Sequence, residues 1–222
     1  MSKFHLGVQG TGRIHAHRFI RYDAKLHELS HLSDRRENLA HWEQRVELAA
    51  ALRWTARISG NRGTQMFEGG CSCAAVRYRL KRGPMFVHCC HCLDCQKQTG
   101  GAFAINALIE AEEVEVITGE PAAYSMPTDS GRPHDIFRCP QCEVALWSDY
   151  GRRGYLLFVR VSTLDEPHQI TPDIHIFTRS KVPWVKLPDD VPAVEIYYDM
   201  NELWSAESLA RRKAASDKAQ VG

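Results

Sequence analysis

The stretch "HCCHCLDCQKQTG", His88 to Gly100, places four cysteines and two histidines within eight positions. Thiols and imidazoles at that density are read first as metal ligands. The chain's eight cysteines form four clusters: Cys71/Cys73, Cys89/Cys90, Cys92/Cys95 and Cys139/Cys142. Two of these are CxxC, a spacing in which a tight turn aims two thiolates at one tetrahedral ion, and zinc takes such sulfur donors readily. The competing reading of any one cysteine is a small buried hydrophobe.

Eight sulfurs suggest two metal sites, and spacing alone leaves two pairings open. One joins the two CxxC units into a single zinc ribbon. The other joins Cys71/Cys73 to Cys139/Cys142, because residues i and i+2 of a strand point to the same face and CxC can chelate from an extended segment. That pairing leaves Cys90, Cys92 and Cys95 for a second ion. On an extended chain His88, Cys90 and Cys92 share a face, so His88 is a rival fourth ligand. Cys89 then points away as a spare core thiol, and His91 points away as a surface or supporting residue. Four thiolates close a structural site, whereas three leave a position open for a substrate thiol. Zinc already held by three thiolates is a weak Lewis acid, better suited to holding a thiol as thiolate than to activating water.

These ligands need short, crossing elements to bring them together. From Met66 onward "AVRYRL", "PMFVHCC", "GAFAINALI", "EVEVITG", "VALWSDY" and "GYLLFVRVSTL" have strand composition, separated by turn residues. The pattern predicts an antiparallel all-β domain over 66–198. Residues 199–222 are read as a helical or disordered tail. Residues 1–65 hold no Cys or Pro but six of the eleven histidines, a composition shift that marks a boundary. Within them, Asp34 to Arg57 has a helical period with Leu39, Trp42, Val46 and Ala50 near one face and Asp34/Glu37 as a capping box. The glycines of "HLGVQGTGRI" lack the spacing and context of a dinucleotide-binding turn. The segment is expected to be a poorly packed helical or disordered extension, with Met66 as the domain's natural start.

The net charge of +1 argues against a nucleic-acid or membrane partner. No apolar run reaches the length of a transmembrane helix, and the N-terminus lacks a signal-peptide apolar region. The expected location is cytoplasmic, where thiols stay reduced and metal is a better explanation of eight cysteines than disulfides.

"GGCSCAAVRYRL", "CCHCLDCQKQTGGAF", "CPQC" and "PDIHIFTRSKVPW" occur in the order typical of the glutathione-dependent formaldehyde-activating enzyme family, which includes centromere protein V. The chain resembles that family from about Met66 to about Glu195. The resemblance implies an antiparallel β-tent with two zinc ions. It implies a structural site at Cys71, Cys73, Cys139 and Cys142 and a catalytic-type zinc at Cys90, Cys92 and Cys95. It also implies addition of glutathione or a similar small thiol to formaldehyde or a small aldehyde, formally a carbon–sulfur lyase reaction. The alternative is a non-catalytic two-zinc scaffold or protein-interaction module.

Three positions depart from the family pattern. Ala74 and Glu143 stand where glycine is common, and an altered knuckle backbone is expected, since a side chain at positive φ costs roughly 1 kcal/mol. Gln96 replaces the usual arginine, a natural carboxylate clamp. Lys97 is the candidate substitute, and Gly100 and Gly101 are candidates for close approach of a ligand to the backbone. His175 is read as a satisfied edge-strand histidine, Trp184 as a core or rim anchor, and Lys181 as a solvated charge.

Overall fold

The computed structural model describes residues 62–128 and 130–221. The glycine run near the N-terminus and the Asp34–Arg57 helix lie outside the described residues. Among the described residues, ten strands form two sheets. The smaller has the order β1 (Phe67–Gly70), β2 (Arg77–Leu80), β5 (Val114–Thr118). The larger has the order β10 (Ile174–Ile176), β3 (Phe86–Cys90), β4 (Ala104–Glu110), β9 (Leu156–Arg160), β8 (Ala145–Tyr150), β7 (His134–Arg138), β6 (Ala122–Met126). The chain is mostly β, as its composition predicts. The expectation of a purely antiparallel arrangement needs one correction: β10 pairs with β3 in parallel, His175 opposite Cys89. A later segment returns along β10 through a bridge from His175 to Ala193, which keeps that edge short and covered.

Strand alternation gives the large sheet two different faces. Val87, Ala107, Ile109, Leu157, Val159 and Trp147 join Tyr78 and Leu80 of the small sheet, and Val76 just before it, in one core. Phe86, Leu108, Leu156, Ile174 and Ile176 form a second core on the opposite face. That second face is closed by the end of the chain. Trp204 stacks on Phe86 with ring centroids 5.3 Å apart and donates its indole N–H to the Tyr198 hydroxyl at 2.9 Å.

Three helices complete the described chain: α1 (Leu93–Thr99), the single turn α2 (Met200–Leu203) and α3 (Ala206–Val221). None is long and apolar enough to cross a membrane. α1 is capped by Cys92, whose sulfur accepts from the Cys95 backbone N–H, and it ends at Gly100, left-handed at φ 64°. α3 buries only Ser208 and Ala215. It is held instead by polar contacts. Ser208 Oγ donates to the Met85 carbonyl at 2.7 Å, and Arg211 clamps both oxygens of Glu110 on β4 at 2.7 and 2.8 Å. Both members of that ion pair are nearly buried.

Removing one partner of a buried pair strands the other charge, so Arg211→Met should lower the unfolding free energy by about 3–5 kcal/mol. The double replacement Glu110→Met with Arg211→Met should recover most of the loss, because it removes both charges. Urea unfolding of the three proteins checks this; equal losses in the single and double variants would contradict it.

Candidate metal and substrate site

The eight cysteines gather into two all-thiol groups and a remainder. Cys71, Cys73, Cys139 and Cys142 bring their sulfurs within 4.8 Å of one another, and so do Cys90, Cys92 and Cys95. The two CxxC units are therefore not brought together. The first group joins the loop after β1 to the turn between β7 and β8, with Cys71 and Cys139 buried in the first core. Cys71 Sγ lies 3.5 Å from Cys73 Sγ, which lies 3.7 Å from Cys139 Sγ. Backbone N–H groups of Val76 and Gln141 donate to Cys71 and Cys139. The Val144 backbone N–H, followed by that of Cys73, pulls the Cys142 thiol down to about 6. Four soft donors at these separations, with N–H groups aimed at sulfur, fit a tetrahedral zinc.

The turn backbones contradict the expectation of an altered knuckle. Ala74 has φ 60° and Glu143 φ 59°, so both positions keep the left-handed conformation without glycine. Each turn is closed by a hydrogen bond back to its first cysteine, Ala74 N–H to the Cys71 carbonyl and Glu143 N–H to the Cys139 carbonyl. The fold holds the strain in place.

The second group is built by β3 and α1. Cys90 ends β3, Cys92 caps α1, and Cys95 sits in the helix's first turn. Cys90, then Cys95, lowers the Cys92 thiol, while Cys92 and then Cys95 push Cys90 up. Three thiols within 4.8 Å of one another fit a common soft cation, and zinc matches the donor set. His88 is not part of this group: its Nε2 is hydrogen-bonded to the Tyr198 hydroxyl. Burial pushes His88 down to about 3, so its ring is neutral.

Cys90, Cys92 and Cys95 border a cavity of about 670 Å³, within the usual size of a small-molecule site. Its floor is a row across three strands, His88, Asn106 and Arg160, in direct register. Arg160 is 4% exposed. It donates to the side-chain oxygens of Asn106 and Gln98, which are both neutral, and its Nε–H has no partner among the described residues. Burial pushes its pKa down, and the charges of Cys95 and Cys90 oppose that shift. Arg132, Arg153, Arg179 and Arg212 line the cavity further out, with Tyr197 and Phe158 as apolar walls.

Arg160 escaped the sequence analysis, although a charge in phase with Leu156 and Phe158 on an otherwise apolar strand was a readable signal. Lys97, Gly100 and Gly101 are exposed and are not among the residues lining the cavity. Gln96 has turned inward: its Nε2 donates to the carbonyls of His91 and Ser180 at 2.7 and 2.8 Å, tying α1 to the segment after β10. Trp184 is exposed, and Lys181 donates to the carbonyls of Val182 and Val185.

Residues 66–180 match the family described as "Glutathione-dependent formaldehyde-activating enzyme". A Halomonas elongata protein named "Putative glutathione-dependent formaldehyde-activating enzyme" is 29% identical over 127 residues, which span 55% of this chain and 81% of that protein. A Rhodobacter sphaeroides protein of known crystal structure is 21% identical, over 47% of this chain and 91% of its own, with a TM-score of 0.36.

Relieving the two left-handed side chains should stabilise the fold. Ala74→Gly and Glu143→Gly should each add about 0.5–1 kcal/mol, the strain removed less the entropy glycine adds to the unfolded chain. The double variant should melt a few degrees higher, at about 2–4 °C per kcal/mol for a domain of this size. Calorimetry on zinc-supplemented protein checks this; an unchanged or lowered midpoint would contradict it.

Proposed function

The chain belongs to the glutathione-dependent formaldehyde-activating enzyme family, and from that premise we propose that it adds a small carboxylate-bearing thiol, glutathione in the first place, to formaldehyde or another small aldehyde. Two zinc ions complete the protein in this reading. Cys71, Cys73, Cys139 and Cys142 would hold the structural one, and Cys90, Cys92 and Cys95 the working one. Bound there, zinc would hold an incoming thiol as its thiolate at neutral pH.

The observation that supports this reading best is Arg160. A buried guanidinium that donates to two neutral amide oxygens is costly unless an anion answers it, and Cys95, Cys90 and Cys92 are the groups beside it that can supply one. Zinc with three thiolates carries one net negative charge, which Arg160 balances. A wholly structural scaffold has no need of a cavity at that point. The arginines further out suit the carboxylates of the thiol substrate, the role that an arginine at position 96 would otherwise have filled. His88, neutral and fixed by Tyr198, shapes the floor without adding charge.

The thiol sulfur forms the new bond to the carbonyl carbon. The carbonyl π pair moves to oxygen, and that oxygen takes up the proton the thiol released. The Nε–H of Arg160, buried and without a partner among the described residues, is a donor where negative charge would develop, the setting in which one hydrogen bond contributes most to rate. The product is an S-hydroxymethyl thiol adduct, a carbon–sulfur bond made without redox change.

Because the adduct also forms spontaneously, turnover is best read as accelerated exchange between formaldehyde, glutathione and adduct by NMR exchange spectroscopy. Arg160→Met should keep its zinc and lower the catalysed exchange rate by about 10²–10³-fold, the usual loss on deleting one such donor. Arg160→Lys should fall between the two, since it keeps charge but not the forked contacts. Unaltered exchange in Arg160→Met, or none above background in the parent, would overturn the reading.

A further inference from the structure

The residues of β3 that face away from the cavity end in a third donor set. Cys89 and His91 stand two residues apart on one face, and His175 is the register partner of Cys89 on β10. Cys89 Sγ lies 3.7 Å from His91 Nε2, which lies 3.0 Å from His175 Nδ1. The three ligand atoms fall within 4.8 Å of one another, and the residues are 1%, 0% and 7% exposed. With bonds of about 2.0 Å to nitrogen and 2.3 Å to sulfur, donors around one ion sit roughly 3.3–3.8 Å apart. The sulfur–nitrogen separation already has that value. The nitrogen–nitrogen separation is a hydrogen bond's length, a few tenths of an ångström short of that range.

The His91 nitrogen that faces Cys89 and His175 is Nε2; its buried Nδ1 has no partner among the described residues and lies outside the donor set. The His91 ring is pinned by other means. Its backbone N–H donates to the Ile176 carbonyl, its carbonyl accepts from Gln96 and Ser180, and Phe103 packs edge-on at 5.4 Å.

We infer that Cys89, His91 and His175 form a third metal site, for a soft monovalent ion of the Cu(I) class. The choice follows from charge and number. One thiolate with two neutral imidazoles carries a single negative charge, so a monovalent ion leaves the buried site neutral. A divalent ion would strand a positive charge away from water. Thiolate and imidazole together suit copper, and a d¹⁰ monovalent ion accepts three donors without a water. The ion would rivet β10 to β3. Phe177, Arg179 and Ser180, which line the cavity, follow directly on β10, so the site would brace that wall. The inference does not depend on the proposed reaction.

The full chain, supplemented with zinc, is titrated anaerobically with Cu(I) supplied as its bicinchoninate complex. Copper and zinc per chain are measured, with copper X-ray absorption. The expected result is one copper per chain, zinc content unchanged, and a shell of two nitrogens and one sulfur. Cys89→Ser and His175→Gln should each weaken copper binding by at least about 10–100-fold, the loss that even an outer partner's removal brings. Both should keep their zinc and their copper-free melting point; if Cys89→Ser does not fold, His175→Gln carries the comparison. No copper uptake, copper in an all-sulfur shell with zinc expelled, or uptake unaffected by the variants that fold would overturn the inference.

Discussion

The period of two in a single buried strand decides which way His88, Cys89 and Cys90 of the dense cluster face. β3 carries Phe86, His88 and Cys90 on one face and Val87 and Cys89 on the other, and all five are buried. A slip of one residue would exchange the two sets, putting Cys89 at the cavity and Cys90 against the first core. Register is fixed from both sides, by β4 through Cys89↔Ile105 and by β10 through His175↔Cys89. The crowding of thiols and imidazoles is thus resolved into separate groups by backbone geometry alone.

The cavity depends on the same division. The face bearing Cys90 continues into the polar row of His88, Asn106 and Arg160, and the segment from Val194 onward packs over that face. Tyr197, Met200 and Arg212 of that segment form part of the wall. Its anchors, Trp204 on Phe86 and Arg211 on Glu110, are therefore linked to the site's shape as well as to stability. Among the described residues the buried guanidinium of Arg160 donates to two neutral amide oxygens and stands beside Cys95, Cys90 and Cys92, whose negative charge would offset its own.

Much of this was legible in the sequence where burial imposes a pattern. The core strands β2, β3, β4, β8 and β9 show as apolar runs because both or alternate faces are covered. β6 and β7 do not, because "AAYSM" is mostly exposed and "HDIFR" spends its side chains on solvent-side contacts such as Asp135 with Arg152. β10 is three residues long, too short for any period to show. α1 buries no residue fully and is nucleated by a cysteine cap, which no apolar spacing could reveal. α3 looked like a polar tail because its docking runs through a serine and an arginine instead of an apolar stripe. The four cysteine clusters were visible in the CxC and CxxC spacing, which left open which cluster joins which. The pairing of His91 with His175 was not, since it spans 84 residues and rests on a parallel contact that sequence order does not disclose.

The account turns on whether the ion held by Cys90, Cys92 and Cys95 keeps a position for a thiol. Replacing zinc by cobalt makes that position visible, because a sulfur entering the coordination sphere alters the cobalt spectrum. Titration with glutathione should give a saturable spectral change from one of two bound cobalt ions, lost in Cys92→Ser while the remaining cobalt stays bound. A spectrum indifferent to glutathione, with both cobalt ions in place, would show both sites closed and contradict the account.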